Sequence, residues 1–306
     1  MHNSAVTPKI GLALGSGASR GWSHIGIIKA LLREGIEPDI VCGTSVGAMI
    51  GASYLTGNLV HLENWVLASS RADVLKFFNV KLSKSGFVDS TRLSRFLYQY
   101  VAAENLLIED LPKPFTAIST DLSNGREVWF QKGGLADAVR ASMALPGLFP
   151  AVRHEHRWLV DGGLVNPVPV STCRALGADV VIAVNLNSDV MDRRSQKKLE
   201  PEPDKKKGVL HSLKQTTLEY SSSIFPYSGK QDETPGLFAS ITNSINIVQD
   251  RITRSRLAGD PAEVLISPRL AHIGLLEFHR AAEAIEEGEA CVKAALDDIR
   301  KVTAKA

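Results

Sequence analysis

The sequence has few cysteines, little net charge and no long hydrophobic run. Its three cysteines, Cys42, Cys173 and Cys291, are widely spaced and odd in number, so neither a disulfide framework nor a metal-binding pattern is predicted. The 35 Lys and Arg residues nearly balance the 33 Asp and Glu residues, which leaves a formal charge of +2. This balance gives no indication of nucleic-acid binding, and we expect no nucleic-acid partner.

No segment has the length that a membrane span requires. The most apolar stretch, Val46–Leu55, is interrupted by two glycines and is much shorter than the roughly 20 residues of a spanning helix. The first nine residues are polar and lack the apolar core of a signal peptide. We therefore expect a cytoplasmic protein, whose contact with the inner face of the membrane would be peripheral and transient.

Strand-like and helix-like segments alternate in the first part of the chain. The apolar run Ile10–Leu14 precedes a glycine-rich stretch, and apolar residues then recur at helical spacing from Ile25 to Leu32. A second short strand at 39–42 is followed by Val46–Leu55, which has the composition of a helix buried on all sides. This alternation predicts an α/β fold with a mostly parallel central sheet and helices on both faces.

The later segments agree with this fold class. An Asn-Gly turn at 124–125 predicts a hairpin, and a β-branched run predicts a buried parallel strand. The predicted strands are 115–122, 127–130, 158–160, 180–184 and 264–266, and the predicted helices are 135–143, 167–176, a long helix from 237 and a final helix over 278–299.

Three stretches of the chain are distinguished by composition. A catalytic core is predicted over 9–186, and a C-terminal helical segment that packs on it over 236–303, within one domain overall. Between them, residues 187–235 combine lysines, prolines and serines, which predicts a mobile or partly disordered insertion. Its lysines could contact anionic lipid head groups, although a solvated loop is the simpler interpretation.

The motif Gly43-Thr44-Ser45-Val46-Gly47 fits the pattern G-x-S-x-G and lies where a predicted strand meets a buried helix. In that position a serine on a tight turn exposes its hydroxyl as a nucleophile. Flanking glycines are needed because a Cβ there would clash with the neighbouring backbone. The alternative is that Ser45 is a helix N-cap without catalytic function.

A glycine-rich loop, 15–21, follows the first predicted strand. Backbone N–H groups of Gly15, Ser16, Gly17 and Ala18 are candidates for an oxyanion hole, and Arg20 for ordering the loop or contacting a polar head group. A dinucleotide site is the alternative. The spacing G-x-G-x-x-x-G and the absence of an acidic residue at the end of the second strand argue against it.

Two kinds of base are available to Ser45. Chain order in an ordinary α/β-hydrolase would nominate Asp161 followed by His272 or His279, but neither histidine lies in a turn-rich context and only two strands precede Ser45. Asp161 at a strand end, before two glycines, is the better candidate for a direct base. It would need desolvation, because an ordinary aspartate has a pKa of about 3.9. A simple Asp-Gly turn remains the alternative.

Together, these blocks in this order resemble the signatures of patatin-like phospholipases. The resemblance rests on 15–21 with Arg20, on 43–47 and on 161–163, and it extends to 142–147 and 166–169. The late segments 246–260 and 276–280 further resemble the bacterial RssA-type branch of that family. Ser16 differs from the usual family pattern, since many members carry glycine at that position.

The resemblance implies a three-layer patatin-like fold and a serine-dependent hydrolase of lipid acyl esters without a metal or organic cofactor. Ser45 would then be the nucleophile of a Ser–Asp dyad, acting through an acyl-enzyme, and Asp161 its base. Apolar residues in 74–80, including Phe77 and Phe78, and in 148–150 could line the acyl site or touch a bilayer, and packing in the core is the alternative for each. A regulatory or lipid-sensing protein with little turnover is the alternative function.

Overall fold

The structure is a computed structural model, and it describes residues 7–77, 90–189 and 237–304. The predicted insertion at 187–235 lies outside the described residues except for 187–189. Its predicted mobility and the predicted domain limits therefore stay predictions. Phe78, predicted to contact acyl chains or a bilayer, also lies outside the described residues.

An eight-stranded sheet forms the centre of the described structure, in the order β5-β6-β3-β2-β1-β7-β8, with β4 paired to β3. The strands β3, β2, β1, β7 and β8, in this spatial order, are parallel to their neighbours. On the other side of the sheet, β4 and β6 pair antiparallel with β3, and β5 pairs antiparallel with β6. The strands are β1 (Ile10–Leu14), β2 (Ile40–Thr44), β3 (Phe115–Asp121), β4 (Glu127–Phe130), β5 (Val152–His154), β6 (Arg157–Asp161), β7 (Val180–Val184) and β8 (Val264–Ile266).

Helices cover both faces of the sheet. Apolar side chains alternate along the strands, as Leu12 and Leu14 lie in the larger core while Ala13 lies in a smaller core with Cys173 on the opposite face. The predicted three-layer arrangement is therefore confirmed. The helices are α1 (Ser23–Arg33), α2 (Val46–Leu55), α3 (Leu59–Ala68), α4 (Arg71–Phe77), α5 (Ser90–Tyr100), α6 (Leu135–Ser142), α7 (Val170–Ala175), α8 (Leu237–Gly259), α9 (Ala281–Ala294) and α10 (Leu296–Thr303).

The register of the sheet brings two distant segments together. In the parallel pair β2–β3, Thr44 lies opposite Ile118, and in the antiparallel pair β3–β6, Ser119 lies opposite Asp161. The end of β6 therefore reaches the same edge as the end of β2. This pairing positions Asp161 beside the residue that follows β2, which is Ser45.

Two predicted helices differ from those observed. The helix predicted from position 167 begins at Val170, because the Pro167 carbonyl accepts a hydrogen bond from the Ser16 amide and Pro169 only caps the helix. The single final helix predicted over 278–299 is broken. A 3-10 turn at Phe278–Arg280 precedes α9, and Ala295, with φ −95° and ψ 4°, separates α9 from α10.

Membrane-spanning helices and metal clusters are not found among residues 7–77, 90–189 and 237–304. No helix there is long and apolar enough to cross a bilayer. Nor does any group of three or more His, Cys, Asp or Glu side chains in those ranges have the arrangement of a metal site. Cys42, Cys173 and Cys291 are all free thiols.

Candidate active site

Ser45 occupies a strained turn between β2 and α2. Its backbone has φ 58° and ψ −123°, a region that non-glycine residues rarely adopt and that costs about 1–3 kcal/mol. Ser45 is at the N-cap position of α2, but its side chain makes no capping hydrogen bond, so its hydroxyl does not cap the helix. The turn instead directs the hydroxyl away from the helix.

Glycines on either side of Ser45 are required by close backbone approach. A Cβ at Gly43 would lie 2.4 Å from Ala48 Cα, and a Cβ at Gly47 would lie 2.2 Å from the Leu14 carbonyl oxygen. Real side chains do not approach backbone atoms this closely. The two glycines of the motif therefore let α2 begin directly against β1 and β2.

The Ser45 hydroxyl donates a hydrogen bond of 2.6 Å to Asp161 Oδ2. The other carboxylate oxygen, Asp161 Oδ1, accepts from the Gly163 amide at 2.7 Å. The Asp161 backbone is also held, since its amide donates to the Ala144 carbonyl and its carbonyl accepts from the Thr120 hydroxyl. The carboxylate is thus fixed in position with one oxygen reserved for Ser45.

Burial determines the acidity of Asp161. The side chain is almost completely buried, and the resulting loss of hydration raises its pKa to about 6. The hydrogen bonds from Ser45 and Gly163 oppose this shift by stabilising the charged form. Asp161 is therefore more basic than an ordinary aspartate, yet it is still ionised at neutral pH.

Ser142, at the end of α6, is a site residue to which the sequence motifs did not assign a role. Its hydroxyl accepts a hydrogen bond of 2.8 Å from the Ser45 amide and donates one of 2.5 Å to the Ile118 carbonyl. These bonds anchor the strained turn to β3. The Ser45 amide is consequently not a donor for a developing oxyanion.

The glycine-rich loop supplies fewer free amides than predicted. The Gly15 amide donates to the Val184 carbonyl at 3.1 Å and the Ser16 amide to the Pro167 carbonyl at 2.9 Å, so the prediction for these two amides is corrected. The amides of Gly17 and Ala18 have no hydrogen-bond partner within the described part of the chain. Both residues lie beside Ser45 in the same cleft.

Two buried basic side chains support this loop. Arg20 is only 2% exposed and donates from Nη1 to the Leu186 carbonyl, which fits loop ordering and excludes the predicted head-group contact. His24 Nε2 donates to the Gly15 carbonyl at 2.8 Å, since a carbonyl can only accept. Burial lowers the pKa of His24 to about 4, so this histidine is neutral.

The histidines of the alternative triad lie away from Ser45. His272 Nε2 is bonded to the Glu283 carboxylate on α9, and His279 is in the turn before that helix. Neither residue lines the clefts around Ser45. The structure therefore brings Asp161, and not His272 or His279, to the Ser45 hydroxyl.

An apolar cavity opens on one side of Ser45. Together with the solvent at its mouth, the space between its walls measures about 650 Å³. The segments predicted for the acyl site contribute Val74, Phe77, Leu148 and Phe149 to its wall. The remaining lining side chains include Trp22, Met49, Trp65, Leu93, Phe96 and Phe278.

A polar cleft opens on the other side of Ser45. It is bounded by Asp161 and the loop residues Ser16, Gly17 and Ala18, and it is closed by α8. The α8 side chains that line it are Thr242, Ile245, Asn246 and Gln249, and Leu145 and Leu275 complete the apolar part of its wall. Sequence reasoning assigned no role to the polar residues of this set. The available signal was that two amide residues, Asn246 and Gln249, stand three positions apart in a predicted helix.

Comparisons with the sequences of known proteins agree with the sequence motifs. The family model "Patatin-like phospholipase" matches residues 12–174. An uncharacterized NTE family protein of Mycobacterium tuberculosis is 31% identical over 95% of this chain and 92% of its own length. Lysophospholipase NTE1 of Coccidioides immitis is 34% identical over 58% of this chain and 12% of its own. Among solved structures, VipD from Legionella pneumophila covers 96% of this chain and 77% of its own, with a TM-score of 0.39 and 13% identity.

Proposed function

The chain belongs to the patatin-like phospholipase family, and we propose that it is a serine-dependent lipid acyl hydrolase with Ser45 as nucleophile and Asp161 as base. The observation that carries this proposal is the 2.6 Å hydrogen bond from Ser45 Oγ to a buried carboxylate. The predicted membership of the RssA-type branch stays a prediction.

Acylation follows from the positions of these groups. Ser45 Oγ attacks the ester carbonyl carbon while its proton passes to Asp161 Oδ2, and the carbonyl electron pair moves onto oxygen. The free amides of Gly17 and Ala18 are the donors available to that oxyanion. When the intermediate collapses, the alcohol leaves with the proton held by Asp161, and the acyl group remains on Ser45.

Deacylation repeats these steps with water. A water molecule attacks the acyl-enzyme and gives its proton to Asp161, and collapse of the second intermediate returns a proton to Ser45 Oγ. The fatty acid is then released. Asp161 thus accepts and donates one proton in each half-reaction, which its pKa of about 6 permits near neutral pH.

The two spaces around Ser45 suggest how a lipid ester is oriented. The apolar cavity would take the acyl chain, and the polar cleft would face the alcohol half. Lysophospholipase NTE1 supports a lipid ester as the substrate class. Transient contact with a membrane surface would give the enzyme access to such esters, and this contact stays a prediction.

The proposal is tested by the pH dependence of ester hydrolysis. We expect release of fatty acid from long-chain acyl esters, with kcat/KM falling about tenfold per pH unit below pH 6, because only ionised Asp161 accepts the proton. Initial rates between pH 4 and pH 8, with folding checked at each pH, give the profile. Absence of turnover across this range would contradict the proposal and favour the regulatory alternative.

A further inference from the structure

Two buried amides on α8 face the polar cleft opposite Ser45. Asn246 and Gln249 are three residues apart, so they lie on one face of the helix and both line the cleft. They are 6% and 5% exposed. Their polar ends therefore contact the space next to the catalytic dyad and little bulk solvent.

These amides lack full hydrogen bonding within the described part of the chain. Gln249 Oε1 accepts from Asn187 Nδ2 at 3.1 Å, but Gln249 Nε2 and the Asn246 side chain have no partner there. The buried Ser16 hydroxyl, which lines the same cleft, also has none. Ser16 Oγ is fully enclosed, and a buried polar group left unpaired costs about 1–3 kcal/mol. The unpaired amide atoms of Asn246 and Gln249 are open to the cleft, so all three groups are available to a ligand there.

Gly163 keeps this group of side chains open. A Cβ at position 163 would lie 2.4 Å from Gln249 Nε2, 3.1 Å from Ser16 Oγ and 3.0 Å from Asp161 Oδ1. Any larger residue would fill the space that these atoms share. Two of the unpaired groups, Gln249 Nε2 and Ser16 Oγ, therefore lie beside the Asp161 carboxylate.

The character of the cleft indicates the chemistry of its ligand. Among the described residues that line it, Asp161 is the only one with an ionisable side chain, and the other polar groups are amides and hydroxyls. Such groups both donate to and accept from a hydroxyl, whereas no cation is present in that lining to neutralise a phosphate. The cleft therefore fits an uncharged, hydroxyl-bearing group.

We propose that Ser16, Asn246 and Gln249 form a subsite that binds a free hydroxyl next to the ester linkage in the alcohol half of the substrate. This inference rests on the proposed function, which directs the acyl chain into the apolar cavity. Esters of glycerol with a single acyl chain carry such a hydroxyl. The subsite would make α8 a determinant of leaving-group specificity.

A matched pair of esters tests the subsite. 2-Hydroxypropyl octanoate and propyl octanoate differ only in that hydroxyl, and the wild type should favour the former by at least about tenfold in kcat/KM. Gln249→Met and Asn246→Leu should each bring this ratio to within about threefold of unity, mainly through loss of activity on the hydroxyl-bearing ester. Ser244→Ala, on the exposed side of α8, is the control and should keep the wild-type ratio.

Two natural head-group classes extend the test. 1-Octanoylglycerol and 1-octanoyl lysophosphatidylcholine share the hydroxyl, and Gln249→Met should lower kcat/KM for both by about tenfold. Three results would overturn the subsite. The first is a loss in Gln249→Met that is confined to the phosphate-bearing ester, and the second is an equal loss on both propyl esters. The third is a wild-type ratio of kcat/KM between the two propyl esters that is near unity. If propyl octanoate is still hydrolysed in those cases, the proposed hydrolase function stands without the subsite. If the wild type hydrolyses none of these esters, both the subsite and the proposed function are contradicted.

Discussion

Replacement of Ser45 by alanine is expected to lower kcat/KM for acyl esters by at least about 10⁴-fold, because loss of the nucleophile leaves only substrate binding and the oxyanion donors. The Ser142 and Gly163 hydrogen bonds do not involve the Ser45 hydroxyl and should hold the site in shape. Initial rates on a long-chain ester, together with the melting temperature, measure the effect.

The matched controls separate loss of the nucleophile from general damage. Ser244→Ala removes an exposed hydroxyl bonded within α8, and His272→Ala removes the histidine bonded to Glu283; both should retain activity within about threefold. Retention of more than a few per cent of the rate in Ser45→Ala would contradict the nucleophile assignment. A comparable loss in His272→Ala would favour the ordinary triad.

Asp161→Asn is expected to lower kcat/KM by at least about 10³-fold at pH 7, since the amide cannot accept the serine proton. The substitution keeps the size of the side chain and an oxygen that can accept from the Gly163 amide. Rates at pH 7 and pH 8 measure the loss. Recovery of activity at higher pH would contradict the role of Asp161 as base.

The same substitution is expected to remove an unfavourable contribution to stability. Folding raises the pKa of Asp161 to about 6, so the folded state favours the protonated carboxyl. The stabilisation present at low pH is lost as pH rises toward 6, and above it the buried charge costs on the order of 3 kcal/mol. Asp161→Asn should therefore gain stability relative to the wild type between pH 4.5 and pH 7 in urea unfolding. If the free energy of unfolding of Asp161→Asn falls relative to that of the wild type over this interval, the destabilising effect assigned to the buried Asp161 charge is contradicted.

Local pattern predicted much of the fold. Strands such as Ile10–Leu14 and Val180–Val184 are continuous apolar runs because both faces of the parallel sheet are covered, and their bounds were predicted correctly. The motif at 43–47 predicted the strand–turn–helix around Ser45 because the steric need for its glycines is local. Membership of the patatin-like phospholipase family is likewise confirmed.

Long-range pairing limited what the sequence revealed about the site. The Gly15 amide donates its hydrogen bond to β7 and the Ser16 amide to the segment before α7, and no local pattern indicates either bond. Ser142 reaches Ser45 only because α6 packs against β3. The proposed role of α8 could not be predicted for the same reason, since Gln249 contacts Gly163 from a segment far along the chain.

The most direct test of the account is covalent labelling of the protein by a long-chain fluorophosphonate, followed by peptide mapping with mass spectrometry. Phosphonylation requires a serine hydroxyl activated by a neighbouring base. The 2.6 Å contact between Ser45 Oγ and Asp161 Oδ2 predicts one adduct, on the peptide that contains Ser45, and strongly slowed labelling in Asp161→Asn. An adduct on another serine, or equal labelling of Ser45→Ala, would contradict it.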